Sequence, residues 1–166
     1  GALERDPGGT YRIGLRLWEV AALAPRSIGL RDAALPYLED LYEATHENVQ
    51  LAVLDDLEIV YVERIRGRDA VPVLTRPGLR FTPHATGVGL VLLAHADPDI
   101  QERYLAAPLR TFTDKTIADH RQLRSVLAEI RRKGYAVSDG QVTLDALSVA
   151  APVRNGDAVV AALSIV

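Results

Sequence analysis

The sequence has no cysteine, no methionine, one tryptophan and only 5% aromatic residues. Without cysteine there are no disulfides, no thiolate nucleophile and no cysteine-type zinc site. That composition fits the cytoplasm, which is the expected location. No apolar run approaches the roughly 20 residues a membrane-spanning helix needs. The first residues also lack the pattern of a secretory signal, so no membrane partner is expected. A strong basic footprint is missing too. The net charge is −3, and the one compact basic cluster is Arg131-Arg132-Lys133. It closes a predicted helix, where cations suit the helix dipole, so direct DNA contact by these residues is not expected. The missing methionine makes Gly1-Ala2-Leu3 an expected internal start, and the chain is read as a piece of a longer protein.

What is present is ordinary for a globular domain: 166 residues, 48% apolar and 25% charged, enough for one real core. Residues 1–12 are polar and broken by Asp6-Pro7-Gly8-Gly9, as in the tail of a preceding element plus a linker. Ile13, Leu17, Val20, Ala21 and Ala24 then predict a helix up to Pro25, with Trp18 in a broad apolar face. That face is expected to meet a partner subunit or the preceding segment. A second helix carries Leu30, Ala33, Ala34, Tyr37, Leu38 and Leu41. Its Pro36 suggests a start near Asp32, which would put the proline in the first turn. Alternation around Asp55-Asp56 predicts a hairpin, and a third strand is expected at Ala70–Thr75. Helical pieces at about 84–95 and 98–106 follow, then a threonine-rich loop at 108–117. The next helix runs from an Asp119 cap to Gly134. Three strands close the chain: Tyr135–Ser138, Leu147–Val153 and Val159–Val166, the last two joined at Asn155-Gly156-Asp157. This order predicts an α+β fold, a mainly antiparallel sheet of about six strands with helices on its faces.

The stretch Phe81-Thr-Pro-His-Ala-Thr-Gly-Val-Gly raises a chemical question. Thr82 and Pro83 suit a helix start, yet Gly87 and Gly89 fall in the first turns, each costing about 1 kcal/mol against alanine. A helix start offers unpaired N–H groups and a positive dipole end. Bare backbone there lets an anion approach. Thr86, Gly87 and Val88 are therefore candidates to receive a carboxylate. The competing explanation is close packing of the helix on a sheet. Gly89 lies about 200° further round the helix and is read as packing. His84 is read first as a capping or structural group. His46, His95 and His120 show no metal-ligand spacing, so neither a metal nor a cofactor is expected.

Four blocks stand in an order that resembles the IclR-type bacterial transcriptional regulators. They are Tyr11-Arg-Ile-Gly14, His84-Ala-Thr-Gly-Val-Gly89 with Leu92-Leu-Ala94, Arg132-Lys-Gly-Tyr-Ala136, and Leu147-Ser-Val-Ala-Ala-Pro-Val153. The resemblance covers residues 4 to 166. It implies the C-terminal effector-binding domain, a GAF-like or profilin-like fold preceded by a linker helix. Residues 1–25 would be the end of a wing and the linker helix of a missing N-terminal winged helix-turn-helix domain, and 26–166 the effector-binding domain. Family members sense small organic acids, some of them aromatic, and assemble as dimers or tetramers. They reach operator DNA only through the N-terminal domain.

The resemblance supports Gly87 and Val88 as anion donors. By matching positions it adds the pair Ser138-Asp139, Ser148 and Ser164 as polar pocket residues, and Val73 and Phe81 as apolar lining. A hydroxyl in an apolar strand needs a partner: a ligand, a water or a neighbouring carbonyl. The chain departs from the family pattern at Leu90, commonly lysine, at Gly140-Gln141, commonly an acidic pair, and at Ser148, commonly cysteine. Two other readings differ in class. One is a hydrolase triad of Ser148, His84 and Asp139, which lacks a Gly-x-Ser-x-Gly elbow, so no enzyme is expected. The other is a dimerisation-only module, which a cavity without polar convergence near Gly87 would favour.

Overall fold

A computed structural model of the protein describes residues 1–22, 28–68 and 70–166, the side chains of Trp18, Ala22 and Ile28 excepted. Ala24, Pro25 and the Trp18 side chain, part of the expected first helix, lie outside the described residues. The described chain divides into two units, Gly1–Pro36 and Tyr37–Val166.

The first unit differs from expectation at its start. Residues 3–13 are not a bare linker but a small antiparallel hairpin, β1 (Leu3–Arg5) and β2 (Tyr11–Ile13). The Asp6-Pro7-Gly8-Gly9 breaker is its turn. The Asp6 carboxylate accepts from Thr10 N–H at 2.9 Å, and Gly9 takes φ +86°. Ile13 therefore belongs to a strand. The helix that follows, α1, is Leu15–Ala22. The next, α2, is Ile28–Thr45, so it starts before Asp32 and carries Pro36 in its interior. Proline costs that helix one backbone hydrogen bond. His46, in the left-handed region at φ +59°, ends it by donating its N–H to Tyr42 O at 2.7 Å.

The second unit holds the sheet. Its strands are β3 (Val49–Asp55), β4 (Glu58–Ile65), β5 (Arg80–Phe81), β6 (Ala136–Asp139), β7 (Leu147–Asn155) and β8 (Ala158–Ile165), in the order β5-β4-β3-β8-β7-β6. Every neighbouring pair is antiparallel. Two hairpin-linked groups of three are thus zipped together by β3 and β8. The expected strand at Ala70–Thr75 is absent, and the edge strand is Arg80–Phe81 instead. Pro72 cannot donate to a ladder, and side chains take the carbonyls nearby. Asn48 Nδ2 donates to Val71 O at 2.9 Å, and the Arg64 guanidinium donates to Val73 O and Thr75 O.

The expected helix at 84–95 also starts later. Pro83–Ala85 is a separate 3₁₀ turn, and Thr86 is extended at φ −128° and ψ 148°. The helix proper, α3, is Gly87–Ala94, and all its residues are buried. A helix apolar on every side must be covered on every side. Here one side meets β3, β6, β7 and β8 and another meets α5 (His120–Lys133). The preceding helix, α4, is Pro98–Ala106. In α5 the Asp119 carboxylate accepts from Gln122 N–H at 2.8 Å, and Gly134 ends the helix at φ +83°. Ala52, Ile59, Tyr61, Ala150 and Ala162 of the sheet join α3 and α5 in one core. Val49, Leu51 and Ala161 are buried outside that cluster, as is Leu38 of α2. The central strand β3 is therefore buried on both faces.

Candidate functional site

Between the amino end of α3 and the sheet lies a cavity of about 90 Å³. An apolar cavity of roughly 150 Å³ holds a benzene molecule; this one is smaller, so as it stands it suits a ligand of a few carbons, and a ring requires its irregular sides to give way. Its floor is a patch of β3, β7 and β8. Cross-strand pairing puts Ala150, Ser164 and Gln50 in one row, with Ser148 one step along β7 beside Ser138. Tyr61 and Phe81 come from β4 and β5. The irregular segments 73–79 and 141–146 form the sides.

Thr86 organises the mouth of α3. Its hydroxyl accepts from Gly89 N–H at 3.1 Å and its carbonyl accepts from Leu90 N–H at 2.9 Å. The N–H groups of Gly87 and Val88 have no partner among the described residues, and both residues line the cavity. Tyr61 interacts with Thr86, and burial pushes the Tyr61 phenol up to about 12, so it stays a neutral donor.

The two glycines are explained by packing. A Cβ on Gly89 would lie 2.3 Å from Pro83 O, and one on Gly87 would lie 2.8 Å from Ser148 Oγ and 3.2 Å from Ala150 Cβ. At 89 the backbone of Pro83 leaves no room for a side chain, while at 87 the nearest atom is the rotatable Ser148 hydroxyl, so the sheet favours glycine there by close packing whether or not a ligand binds. The observation that favours an anion is the pair of open N–H groups, not the glycine itself.

Of the residues singled out above, Val73, Phe81, Thr86, Gly87, Val88, Ser148 and Ser164 line the cavity. Asp139 does not. It ends β6 on the opposite face from Ser138, exposed, and its carboxylate meets Lys115 Nζ at 3.1 Å. Strand alternation decides this: Ala136 and Ser138 are buried, Val137 and Asp139 exposed. Residues 140–141, the departure from an acidic pair, are stitched to the threonine-rich loop. Thr113 Oγ1 donates to Gly140 O and Thr116 Oγ1 to Gln141 O, each at 2.6 Å. Among the described residues lining the cavity none carries a charge.

His84 is fully buried and engaged at both nitrogens. Nε2 lies 2.9 Å from Arg110 O, and Nδ1 lies 2.6 Å from Tyr104 Oη. Burial holds its pKa below the ordinary 6.5, against the pull of the Arg110 carbonyl, and His120 lowers it further. It is a structural group. With Asp139 on Lys115 and Ser148 without a hydrogen-bond partner, the imagined triad is not assembled.

The sequence does not single out Gln50, Thr75 or Gln141 as cavity wall, whereas Ser138, paired with Asp139 by the resemblance, does line it. Gln50 follows Val49 and precedes Leu51, so period two assigns it to solvent. Only burial of β3 on both faces brings it inside.

Comparison with known proteins gives one family. The family model described as the C-terminal part of the bacterial transcriptional regulator IclR matches residues 22–166. The chain is 34% identical to the HTH-type transcriptional regulator XynR of Escherichia coli over 99% of its own length and 67% of that protein. It superposes at a TM-score of 0.94, with 40% identity, on an IclR homolog from Microbacterium hydrocarbonoxydans complexed with 4-hydroxybenzoate, covering 99% of this chain and 68% of that one. The inducer-binding domain of a PobR double mutant from Acinetobacter, in complex with 3-hydroxybenzoic acid, aligns at 0.73 with 28% identity, over 81% of this chain and 80% of that one. The chain spans between 46% and 67% of the length of the first curated regulators it matches.

Proposed function

This chain belongs to the IclR family of bacterial transcriptional regulators, and from that premise we propose that its cavity senses a small organic monocarboxylate. The observation that carries the reading is the pair of open N–H groups, Gly87 and Val88, at the positive end of α3 inside a cavity without charged side chains. The anion sits on those two groups with Ser148 beside them. The apolar walls from Val73, Tyr61 and Phe81 favour a flat or ring-shaped body, in keeping with hydroxybenzoates in two structural relatives.

Binding changes the balance between arrangements of the whole regulator, and so its hold on DNA, in proportion to the ligand's differential affinity for them. The DNA-reading part is a further domain of the regulator, and the site of action is the cytoplasm. The role is sensing, without turnover. Self-association as a dimer or tetramer is part of the same proposal. It is supported by the apolar residues that the first unit exposes, Ile13, Leu15 and Val20 among them.

The test is thermal unfolding of this chain with glyoxylate, pyruvate, succinate, hydroxylated benzoates and phenylacetates. A binder at 100 times its Kd adds about 2.7 kcal/mol, roughly 5–10 °C for a chain of this size. Amide spectra of the same titration should move Gly87 and Val88 first. A panel with no shift defeats the carboxylate reading. A shift that leaves those two amides unmoved places the anion elsewhere.

A further inference from the structure

The corner after β6 holds one side chain of the cavity wall in a defined orientation. Gly140 takes φ +64° and donates its N–H to Ala146 O at 2.8 Å, which closes the loop through 141–146 beside the cavity. The Gln141 carbonyl accepts from Thr116 Oγ1 at 2.6 Å. Its side chain then meets Ile117, with Oε1 accepting from Ile117 N–H at 3.3 Å. A backbone N–H can only donate, so this bond tells the two ends of the amide apart. The oxygen belongs at Ile117, because a flipped amide would set two donors against each other. The nitrogen is the free end, with two N–H groups and no partner among the described residues.

Burial shows where that nitrogen is open. Among the described residues, the one side-chain polar atom both sealed and without a partner is Arg64 Nε. Gln141 Nε2 is therefore not sealed. The residue is only 7% exposed and lines the cavity, so the open space at its nitrogen is the cavity. Three groups at the wall can then only donate: the N–H groups of Gly87 and Val88 at one place, and Gln141 Nε2 at another. The hydroxyls of Ser148 and Ser164 can act either way. Such a wall is complemented by acceptor oxygens in two places. With no cation among the described lining residues, a second buried charge would go uncompensated.

We infer that Gln141 is a specificity-determining residue of this cavity: its amide nitrogen donates to an uncharged oxygen, a ketone or an ether, on the ligand whose carboxylate is held at α3. The inference rests on the carboxylate reading above and adds a second recognised group. It also gives a meaning to the departure from an acidic pair at 140–141. A glutamate at 141 could keep the bond from Ile117 N–H through one oxygen, but its other oxygen would turn an acceptor on the ligand. Glutamine reverses the sign of what is recognised.

The experiment is calorimetric titration of this chain with pentanoate and with three acids of the same chain length, 2-oxopentanoate, ethoxyacetate and 4-oxopentanoate. These move the uncharged oxygen stepwise away from the carboxylate. The series is repeated with Gln141→Met and Gln141→Glu, each checked by denaturant unfolding. In the unaltered protein, one of the three should bind about tenfold more tightly than pentanoate, the worth of one well-placed hydrogen bond. In Gln141→Met that ratio should fall to about one while pentanoate still binds. In Gln141→Glu, which keeps the bond from Ile117 and decides the matter if the methionine variant is unfolded, the ratio should fall to one or below. A ratio that survives either folded variant overturns the role of Gln141 and leaves the carboxylate site standing. So does an unaltered protein in which none of the three beats pentanoate. A folded Gln141→Met that loses pentanoate as well puts Gln141 in the anion's own site and overturns the division of roles. If none of the four acids binds the unaltered protein, the carboxylate reading fails and this inference with it.

Discussion

Two sets of buried polar groups flank the short turn at Pro83–Ala85, and they differ in whether they are finished. On one side His84, Tyr104, Thr82 and the Arg110 carbonyl close on one another at 2.6 to 3.1 Å. On the other side Ser148 and Ser164 have no side-chain partner among the described residues, and the Gln50 amide meets only the Thr75 hydroxyl. Both sets are polar and enclosed, and the first contains the more reactive residue type. Completeness is what separates them. A closed network holds a fold together, while an open one leaves donors and acceptors for a water or a ligand.

Breaking the closed set should have the largest effect. His84→Leu leaves the Arg110 carbonyl without a partner and takes one from Tyr104, at about 2–3 kcal/mol. Denaturant unfolding measures this directly, and the ligand-induced shift in Tm should persist in the variant. A stable variant that no longer binds ligand would place His84 in the open set. The same histidine predicts a pH dependence. Burial keeps it neutral in the folded protein at pH values where the unfolded chain takes up a proton. Its contribution to stability is present above the ordinary value near 6.5 and is lost as the pH falls through the lower folded value. Stability curves taken downward from pH 7 should show this decline, and His84→Leu should lose that part of it.

The open set should behave in the opposite way. Ser164→Ala removes a hydroxyl that bonds nothing in the protein, so unfolding in the absence of ligand should change by less than about 0.5 kcal/mol. Affinity for the best hydroxybenzoate should drop several-fold. A loss of stability without a loss of affinity would move Ser164 to the structural side of the comparison.

The sequence makes these two sets unequally legible. The hairpin around Asp55-Asp56, the cap and stop of α5 and the hairpin at Asn155-Gly156-Asp157 are local signals, and all three appear in the fold. The missing strand at Ala70–Thr75 depends on Asn48 and Arg64, whose side chains take its carbonyls from another part of the chain. No window of sequence holds both partners. Thr82 and Pro83 mark a real turn start, but the extended Thr86 splits it from α3 and caps that helix through Gly89 N–H. In the cavity, Thr86, Gly87 and Val88 are legible from the helix start, whereas Ser148, Ser164, Val73 and Phe81 come from the family resemblance and not from periodicity. Gln50 was hidden because alternation is informative only on strands with one wet face, and β3 has none.

Asp139 gives the smallest expected effect and the cleanest check on that parity argument. Ser138 and Asp139 are adjacent on β6, so one must face the cavity and the other must face away. The buried member is Ser138, whose Oγ donates to Ala85 O at 3.4 Å. Asp139 holds only an exposed ion pair with Lys115, and such pairs contribute between nothing and about 1 kcal/mol. Asp139→Asn should therefore leave hydroxybenzoate affinity within twofold and change stability by less than 1 kcal/mol, less still at high salt, where exposed pairs are screened. Titrating the variant at low and at high salt measures both quantities. A tenfold loss of affinity would mean that β6 presents its other face to the ligand and that the register pairing Ser138 with Ser148 shifts by one residue when the cavity fills.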